Sequence, residues 1–404
     1  MSPTDTMSTK VVIVGASAAG TSAAEGLRAR GHQGDIVLIG AERHRAYDRP
    51  PLSKQILQGT LEPADLALRD PEHLKDLAVN ERLGVSATAL DAAQASVHLD
   101  DGATVSYDRL IIATGVSARR LPHSDRVRGV YTLRTLDEGV GLRTALSEAS
   151  RMVVIGGGFL GAEIAAVAAQ LGVDVVIASN TSALLGHALG SEVGEQVTAF
   201  HLSKGIRLRT GHAARVKCFL SNKRQITGIA FENGEAEAAD LVVVAIGSDP
   251  AVDWLRSSGL QLDDGVHCAP DCSAAPNVYA AGDVARWHNL LFDSAMRTEH
   301  RTNATDQALH VVNRIIDGDR TPYTPVPYFW SDQFTLKLQA HGHLRRHDEV
   351  RIIEGSVAEG RMVALYRKRE TLCGVLAIGA AKALRQWRGH VAAQMTWDDA
   401  TSLA

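Results

Sequence analysis

Hydrophobic and polar positions follow the same order in two separate stretches of the chain. In the first stretch, Val11–Val14 is a continuous apolar run, which is typical of a strand buried on both faces. After a Gly-rich turn, the Ala-rich segment Thr21–Arg30 has a helical pattern that ends at Gly31, and Ile36–Ile39 is the next apolar run. This order predicts two parallel strands joined by a helix.

The second stretch repeats these elements. Met152–Ile155 predicts a strand, and the Gly-rich turn Gly156–Gly161 follows it. Ala162–Leu171 predicts a helix that ends at Gly172, and Val173–Ile177 predicts the next strand. Because a whole strand–helix–strand unit recurs, the chain is expected to contain a duplication at the level of domains, not a short solenoid repeat.

The pattern changes near Tyr328, where short alternating segments begin. Phe334–Leu338 and Met362–Tyr366 predict strands with one exposed face. The Pro-rich stretch Thr321–Pro327 is the expected boundary before this region. The fold class predicted for the chain is therefore α/β, with two Rossmann-like dinucleotide-binding domains and a small C-terminal α+β domain.

Composition narrows the classes of function. The chain has 404 residues and a formal net charge of −4, so no basic field favours nucleic acid or an anionic membrane as a partner. Four cysteines are sparse, which favours a reducing compartment. The polar segment Met1–Lys10 lacks the apolar core of a signal peptide, Met7 is an alternative start, and no apolar run is long enough to cross a membrane. We expect a cytoplasmic protein, and a start at Met7 would make the first six residues a disordered lead.

The first Gly-rich turn has the pattern of a dinucleotide-binding site. Gly15 permits a tight turn, the small Ser17 lets backbone amides approach a pyrophosphate, and Gly20 lets the helix pack on the strand. The pyrophosphate would lie at the helix N-terminus, beside Ala18 and Ala19. A carboxylate at the end of the second strand, such as Glu42, can accept hydrogen bonds from the hydroxyls of an adenosine ribose.

The second turn matches the full pattern, and Glu163 is expected on the first turn of the helix that follows it. Its residues are Gly156, Gly157, Gly158, Phe159, Leu160 and Gly161. Two such units imply two nucleotides, of which one is normally a tightly held flavin and the other an exchangeable nicotinamide.

Two further segments separate this chain from a generic pair of Rossmann units. The apolar strand Leu110–Ile112 runs on to Thr114-Gly115, where a chain can cross beside a flavin nucleotide. Asn277–Ala285 predicts a strand, a Gly turn at Gly282, and an acid, Asp283, that opens a helix. Asp283 can hold a ribityl hydroxyl, and the helix N-terminus would face the flavin diphosphate or pyrimidine edge.

The order of these motifs resembles that of the glutathione-reductase-like flavoproteins. More narrowly, the chain resembles the bacterial ferredoxin reductases that serve haem monooxygenases and aromatic-ring dioxygenases. The motifs that carry the narrower resemblance are Tyr47–Lys54, Tyr131–Thr135, Glu299–Ala304 and Phe329–Gln333.

The resemblance implies a set of cofactor contacts. Those to FAD are Ala19, Glu42, Arg49, Lys54, Ala87, Arg134 and Asp283, with the backbone of Arg301 beside the flavin. Further cofactor contacts implied in the same way are Thr114, Gly115, Gly247, Gly282, His300 and Trp330.

Lys54 and Glu163 are the implied catalytic residues. Lys54 would lie near the reactive end of the flavin and stabilise negative charge on the reduced ring, and Glu163 would orient the nicotinamide amide. The competing interpretations are a solvated surface lysine for Lys54, a helix N-terminal carboxylate for Glu163 and a structural ion pair for Arg134.

Two positions depart from the pattern of the family. Most of these reductases end the second strand of the NAD unit with an acid, whereas this chain has Ser179 and then Asn180, with His187 the nearest substitute for a phosphate-binding arginine. NADH is the expected reductant and NADPH is possible. Arg301 stands where the family often has Trp, and it could stack on an aromatic plane or form a salt bridge outward.

The cysteines and histidines give little sign of further chemistry. Disulfide reductases on this scaffold carry a C-x-x-x-x-C pair in the region that here is Pro50–Leu57, which has no cysteine. Cys268 and Cys272 are expected in a surface connection, through chance or structural placement, and a metal or redox role is the alternative. His341, His343 and His347 are expected to be solvated loop residues, and no metal site is expected.

The predicted function is an NAD(P)H:ferredoxin oxidoreductase. NAD(P)H would transfer a hydride to FAD, which would pass single electrons to a 2Fe–2S ferredoxin that feeds an oxygenase. The FAD-binding domain would be residues 8–117 and 246–323, the NAD(P)H-binding domain 118–245, and the C-terminal domain 324–404, in a monomer or weak homodimer. The alternatives are a rubredoxin reductase and a flavin- and NAD-binding redox sensor that resembles apoptosis-inducing-factor-like proteins.

Because ferredoxins are acidic, docking requires local positive charge. The candidates, all in the last domain, are Arg345-Arg346, Arg367-Lys368-Arg369 and the trio Lys382, Arg385 and Arg388. The competing interpretation of each is an ordinary solvated charge.

Overall fold

The structure is a computed structural model, which describes residues 7–70 and 72–404. The lead expected for the first six residues lies outside these ranges. The chain forms two compact units. The first contains the residues up to Asp48, Leu66–Ser117 and Asp249–Pro327, and the second contains Arg49–Asp65, Ala118–Ser248 and Tyr328–Ala404. The assignment of cofactors to domains stays a prediction.

The helices of the described residues are α1 (Ala18–Ala29), α2 (Gln55–Gln58), α3 (His73–Asp76), α4 (Leu136–Glu148), α5 (Phe159–Gln170), α6 (Gly186–Leu189), α7 (Ser191–Ser203), α8 (Arg301–Asp317), α9 (Ala381–Ala392) and α10 (Trp397–Leu403).

The strands are β1 (Val11–Val14), β2 (Ile36–Gly40), β3 (Val79–Leu83), β4 (Ala87–Asp91), β5 (Ser96–Leu99), β6 (Thr104–Ser106), β7 (Arg109–Ile112), β8 (Val116–Ala118), β9 (Val130–Tyr131), β10 (Arg151–Ile155), β11 (Asp174–Ser179), β12 (Arg207–Thr210), β13 (Val216–Asn222), β14 (Gln225–Phe231), β15 (Ala236–Ala238), β16 (Leu241–Val244), β17 (Ser248–Pro250), β18 (Leu262–Asp263), β19 (Gly265–Cys268), β20 (Ser273–Ala275), β21 (Val278–Ala280), β22 (Ala285–Asn289), β23 (Ser294–Arg297), β24 (Tyr328–Gln333), β25 (Leu336–Gly342), β26 (Glu349–Ser356), β27 (Arg361–Lys368) and β28 (Thr371–Ile378).

The first unit is built on a six-stranded sheet in the order β20-β21-β7-β1-β2-β3. The strands β21, β7, β1, β2 and β3 run parallel, and β20 is an antiparallel edge. Every residue of β1 is buried, as the continuous apolar run predicts for a central parallel strand. Two smaller sheets, β4-β5-β6 and β18-β19-β22-β23, complete this unit.

The second unit repeats the Rossmann-like arrangement with a parallel sheet in the order β12-β11-β10-β16-β9. In both units the first helix begins earlier than the sequence predicts, at Ala18 instead of Thr21 and at Phe159 instead of Ala162. The cause is that the last residues of the Gly-rich turn already have helical geometry, which a glycine-rich composition conceals.

The predicted helix after Asp283 is wrong. Gly282–Val284 is a single 3₁₀ turn, and strand β22 begins at Ala285. Buried and half-buried residues alternate from Ala285 to Asn289, which is the period of a strand, and this arrangement outweighs the turn signal at Gly282. The helix that approaches this turn is α8, whose Gln307 side chain accepts a hydrogen bond from the Gly282 amide at 2.9 Å.

The C-terminal part of the second unit contains an antiparallel sheet in the order β24-β25-β28-β27-β26. The predicted strand Phe334–Leu338 is instead interrupted by a hairpin turn, because Phe334 has a φ of 54° and separates β24 from β25. The predicted strand Met362–Tyr366 is confirmed within β27, but its expected exposed face is wrong. All five residues are buried, so both faces of this strand are covered, and the Tyr366 hydroxyl reaches the Leu189 carbonyl.

Within residues 7–70 and 72–404, no helix combines the length and the apolar character that a membrane span requires.

Candidate functional site

The Gly-rich turn of the first unit has the geometry of a phosphate cradle. Gly15 has a φ of +119°, and a Cβ there would lie 2.1 Å from the carbonyl oxygen of Ala113, so only glycine fits. Ser17 precedes helix α1 without capping it through its side chain, and no acidic residue lies in the first turn. The first amides of α1 have no partner within the helix and remain free to bind an anion, and this fits the pyrophosphate of FAD.

A second glycine turn lies against this one. Gly282 has a φ of +78°, and a Cβ there would be 3.1 Å from the Cβ of Ala19. The turn before the half-buried Asp283 therefore approaches the N-terminus of α1 closely, as FAD binding by both segments requires. The Thr114 hydroxyl donates to the Ala251 carbonyl at 2.9 Å, which fixes the end of β7 beside them.

The Glu42 carboxylate, expected to bind the ribose, is held by a residue that the sequence argument did not single out. The hydroxyl of the buried Tyr47 donates to Glu42 Oε2 at 2.6 Å. This hydrogen bond orients the carboxylate. Tyr47 is the first residue of the motif Tyr47–Lys54, so the sequence contained a signal for it, although no role was predicted for this residue.

The structure decides between the two interpretations of Arg301. This residue is the first of α8, and its Nε lies 2.7 Å from Asp48 Oδ1 while its Nη1 donates to the Thr305 hydroxyl at 2.9 Å. Arg301 is therefore in a salt bridge. His300, the residue before it, is the N-cap of α8 and has no side-chain capping bond.

The Gly-rich turn of the second unit repeats the cradle. Gly156 has a φ of +121°, and a Cβ there would lie 2.1 Å from the carbonyl oxygen of Ala245. A Cβ at Gly158, the N-cap of α5, would meet no atom within 4 Å, so the backbone has room for a bound nucleotide. The ring of Phe159 packs on Phe329 with centroids 5.0 Å apart.

A buried ion pair lies in the second unit and joins three motifs that are far apart in the sequence. Lys54 Nζ is 2.8 Å from Glu163 Oε2, and these residues are only 8% and 6% exposed. The hydroxyl of Ser53 donates to the same oxygen at 2.5 Å, and that of Ser331 donates to Glu163 Oε1 at 2.6 Å. Three donors therefore converge on one carboxylate.

This geometry excludes two of the competing interpretations. Lys54 is buried and paired, so it is not a solvated surface lysine. Glu163 is the fifth residue of α5, lies beyond the first turn and points to Lys54, so it does not serve as a carboxylate at the helix N-terminus. An isolated buried charge is costly, and the pair with its two hydroxyl donors is the arrangement that allows both groups to stay buried.

Among the other residues implied for cofactor binding in this unit, Arg49 and Arg134 contact each other. The Arg134 carbonyl accepts a hydrogen bond from Arg49 Nη1 at 2.6 Å, and the Arg134 amide donates to Glu138 Oε2 at 2.7 Å. Trp330 is half-buried and stacks on Tyr328 with centroids 5.9 Å apart. Gly247 has a φ of +101°, a conformation that favours glycine. Ala87, in the first unit, is half-buried on β4.

The position expected to decide between NADH and NADPH is occupied by hydroxyl groups. Ser179 is the last residue of β11 and is buried. Its Oγ lies 2.8 Å from the Oγ1 of Thr181 and also accepts a hydrogen bond from the Thr181 amide. Neither residue offers the carboxylate that would bind an adenosine ribose and repel a 2′-phosphate.

The register of the strands gives a second candidate residue for the position of the missing ribose-binding acid. The turn glycine of each unit donates to a carbonyl on the neighbouring strand, Ile39 in the first unit at 2.7 Å and Ala178 in the second at 2.8 Å. Counting from these equivalent positions, Thr181 corresponds to Glu42, and Ser179 lies two residues before it. The position that an acid takes in most of these reductases therefore corresponds here to Ser179 and Thr181 together.

Several residues of the ion-pair site carried no individual assignment at the sequence level. Ser331 and Gln333 alternate along β24 and are both fully buried, so the period of two in the motif Phe329–Gln333 was the available signal. For Ser53 the available signal was its place beside Lys54 in the motif Tyr47–Lys54. His201, fully buried on α7, had no signal in the sequence.

Two expectations about cysteines and histidines are wrong. Cys268 and Cys272 lie in the core of the first unit, 2% and 0% exposed, not in a surface connection, and burial raises the pKa of both thiols. The three histidines are half-buried and not solvated, although His343 and His347 do lie in a loop. His341 lies on β25 with its ring 4.8 Å from that of Tyr328, and burial lowers the pKa of His343.

His347 is also packed, with its ring 5.1 Å from that of Tyr366 and its Nδ1 2.7 Å from the Leu344 carbonyl. Among the described residues, no three His, Cys, Asp or Glu side chains come together as a metal site.

Comparison with known proteins identifies the family. The model of the pyridine nucleotide-disulphide oxidoreductases matches residues 9–308, and the model described as reductase C-terminal matches residues 328–404. The chain belongs to the pyridine nucleotide-disulphide oxidoreductases and carries a reductase C-terminal domain. The predicted resemblance and fold class are confirmed, as are FAD and NAD(P)H as the cofactors of this oxidoreductase.

Individual relatives cover nearly the whole chain. It is 33% identical to a ferredoxin–NAD(P)⁺ reductase of a Sphingomonas species, over 95% of this chain and 93% of the relative. It is 32% identical to the ferredoxin–NAD⁺ reductase component of the biphenyl dioxygenase system of Paraburkholderia xenovorans, over 88% and 86%. Its structure matches putidaredoxin reductase in a covalent complex with putidaredoxin, with a TM-score of 0.91, 30% identity, and coverage of 96% and 94%.

Proposed function

We propose that this protein oxidises NAD(P)H on FAD and passes the electrons singly to a 2Fe–2S ferredoxin, which supplies an oxygenase. The observation that carries the proposal is the buried pair of Lys54 and Glu163, with Nζ 2.8 Å from Oε2. The relatives named as ferredoxin reductases of oxygenase systems support the same acceptor. FAD, when bound, takes a hydride and releases electrons one at a time.

The residues of this chain have distinct tasks in that reaction. We assign the cradle of α1, with Gly15, Gly20 and Glu42, to the adenosine diphosphate part of FAD, and the cradle of α5 to NAD(P)H. Lys54 supplies a positive charge that favours the reduced form of the cofactor, and Glu163 keeps that ammonium group in place. The domain limits given above, residues 8–117 with 246–323, 118–245 and 324–404, belong to this proposal.

Thiol chemistry has no part in the proposed reaction. The segment Pro50–Leu57 carries Lys54 and no cysteine, although the family is described by its disulphide-reducing members. Of the four cysteines, Cys218 alone is exposed, and the other three are buried. Reduced thiols are consistent with a cytoplasmic location, which we propose together with a monomeric or weakly dimeric state.

The ferredoxin is proposed to dock on helix α9. Lys382, Arg385 and Arg388 are exposed on this helix, and Ala381–Ala392 contains no acidic residue. By contrast, the cluster on β27 is partly neutralised, because Arg367 pairs with Glu349 at 3.0 Å and Lys368 pairs with Asp348 at 2.8 Å. An acidic partner is attracted by unpaired positive charge more than by charge already balanced.

The test compares electron acceptors on the holoenzyme. Reduction of cytochrome c by NADH is measured alone, with an added 2Fe–2S ferredoxin and with an added rubredoxin. We expect strong stimulation by the ferredoxin. Stimulation by rubredoxin only would identify a rubredoxin reductase, and stimulation by neither would favour a redox sensor without a dedicated carrier.

A further inference from the structure

A row of fully buried polar side chains in the second unit leads away from Glu163 and ends at His201. Ser331 Oγ is 2.6 Å from Glu163 Oε1, Gln333 Nε2 is 3.1 Å from Ser331 Oγ, and His201 Nε2 is 2.8 Å from Gln333 Oε1. Ser331, Gln333 and His201 are each 0% exposed. Such a row in a protein interior is costly unless each member finds its partner.

The charge of Glu163 sets the direction of every hydrogen bond in the row. A carboxylate only accepts, so the Ser331 hydroxyl must donate to it. The Ser331 oxygen then accepts from the Gln333 NH₂ group, which turns the Gln333 carbonyl toward His201. The His201 Nε2 must therefore carry the hydrogen.

His201 is suited to this role because it stays neutral. Burial lowers the pKa of the His201 ring. The hydrogen bond to Gln333 raises this pKa, but the effect of burial is larger. The ring of Phe334 packs against it with centroids 5.4 Å apart. Among the described residues, Nδ1 of His201 has no hydrogen-bond partner, so the ring is held through Nε2.

We infer that His201 and Gln333 are positioning residues that lock the Ser331 hydroxyl onto Glu163 and thereby fix the carboxylate that holds Lys54. Without a donor at His201 Nε2, the Gln333 amide can rotate and present its oxygen to Ser331. The Ser331 hydrogen would then be shared between Gln333 and Glu163. The row does not carry protons, because a carboxamide neither gains nor loses a proton readily.

The first test measures the tautomer of His201 and needs no turnover. In ¹⁵N NMR spectra of the histidine ring, we expect the wild-type protein to show hydrogen on Nε2 and none on Nδ1. In Glu163→Gln, Lys54 and Ser53 keep the new amide oxygen on their side, so its NH₂ group faces Ser331. The row then reverses, and His201 should shift wholly or partly to the Nδ1–H form.

Ser331→Ala provides the control for transmission along the row. Adding Glu163→Gln to Ser331→Ala should leave the His201 tautomer unchanged, because the link is cut. An unchanged tautomer in the single Glu163→Gln variant, or the same shift in both backgrounds, would overturn the inference.

The second test uses two matched substitutions and rests on the proposed function. His201→Gln keeps a donor near the Nε2 position, whereas His201→Asn places its amide near Nδ1, which has no partner. We expect His201→Asn to slow flavin reduction by NADH by about three- to tenfold, the range for loss of one ordinary hydrogen bond, and His201→Gln to stay within about twofold.

Equal rates for wild type and His201→Asn would contradict a positioning role. If the ferredoxin proposal alone were wrong, both the NMR result and the flavin-reduction result would stand, since neither experiment uses a ferredoxin.

Discussion

The guanidinium group of Arg301 and the carboxylate of Asp48 form an ion pair, with Nε and Oδ1 2.7 Å apart. The two residues are 253 positions apart in the chain, and the pair ties the first turn of helix α8 to the segment that follows β2 within the first unit. Both side chains are partly exposed, 26% for Arg301 and 36% for Asp48. Pairs of this kind contribute modestly to stability.

A double-mutant cycle measures that contribution. Arg301→Ala and Asp48→Ala should each destabilise the protein, and the double variant should lose less than the sum, with a coupling of about 0.5–1 kcal/mol. The measurement is the thermal transition of the four proteins under one buffer condition. Strict additivity would show that the observed geometry does not stabilise the fold.

The buried pair of Lys54 and Glu163 predicts a larger and asymmetric effect. Lys54→Met leaves a buried carboxylate without its cation and should cost about 3–5 kcal/mol, whereas the double variant Lys54→Met/Glu163→Gln should regain most of that loss. Both variants should reduce the flavin more slowly with NADH. Thermal unfolding separates the two effects, and a double variant no more stable than Lys54→Met would contradict the account of the burial cost.

Coenzyme preference should respond to a carboxylate in the slot of Ser179. Ser179→Glu is expected to favour NADH over NADPH by about 1–3 kcal/mol in kcat/KM, because the acid would bind the ribose hydroxyls and repel a 2′-phosphate. Thr181→Glu, at the position equivalent to Glu42, is the matched variant. The ratio of kcat/KM for NADH to that for NADPH, measured in each variant, shows which position faces the ribose. Equal changes for the two coenzymes in both variants would show that neither position does.

Docking of an acidic ferredoxin should depend on helix α9. Charge reversal at Arg385 and Arg388 should slow ferredoxin reduction most at low ionic strength, since screening acts over about 8–10 Å at moderate salt. Reduction of the flavin by NADH should be unchanged, as should reduction of ferricyanide. Arg367→Glu is the comparison, because its partner Glu349 already balances that charge. If charge reversal at Arg367 slowed ferredoxin reduction more than charge reversal on α9, the docking site would be assigned to β27 instead.

Stability should fall on acidification through groups that are buried as neutral histidines. Burial is the main cause that lowers the pKa of His32, His201, His310 and His343. Because the unfolded chain titrates near the ordinary value of about 6.5, it binds more protons than the folded state below that pH. This contribution to stability is therefore full above about pH 7 and is lost as the pH falls through 6.5 toward the folded values.

Each such histidine can contribute at most about 1.4 kcal/mol per pH unit. Between pH 7.5 and 5.5, His201→Gln should show a smaller drop in thermal transition temperature than the wild type. The exposed His212, replaced by Gln, is the control and should leave the drop unchanged. Parallel pH profiles for all three proteins would exclude His201 as a contributor.

The local patterns of this sequence determined its elements and its class. Continuous apolar runs marked the central parallel strands, and the glycines at positions 15 and 156 marked turns that no larger residue could adopt, since a Cβ would meet a carbonyl oxygen at 2.1 Å. Family motifs singled out Lys54 and Glu163. These signals are short in range or depend on the identity of single residues, so they survive without knowledge of the fold.

Contacts between distant segments were decided by tertiary structure alone. Ala285–Asn289 forms a strand where a turn signal predicted a helix, because it pairs with β19 and β23. The burial of β27 on both faces likewise depends on neighbours that no local pattern describes. The sequence placed Lys54 and Glu163 in separate motifs. Only folding brings these two residues together with Ser331 and His201. The direction of each hydrogen bond in a buried row depends on which groups meet, and three-dimensional packing decides that.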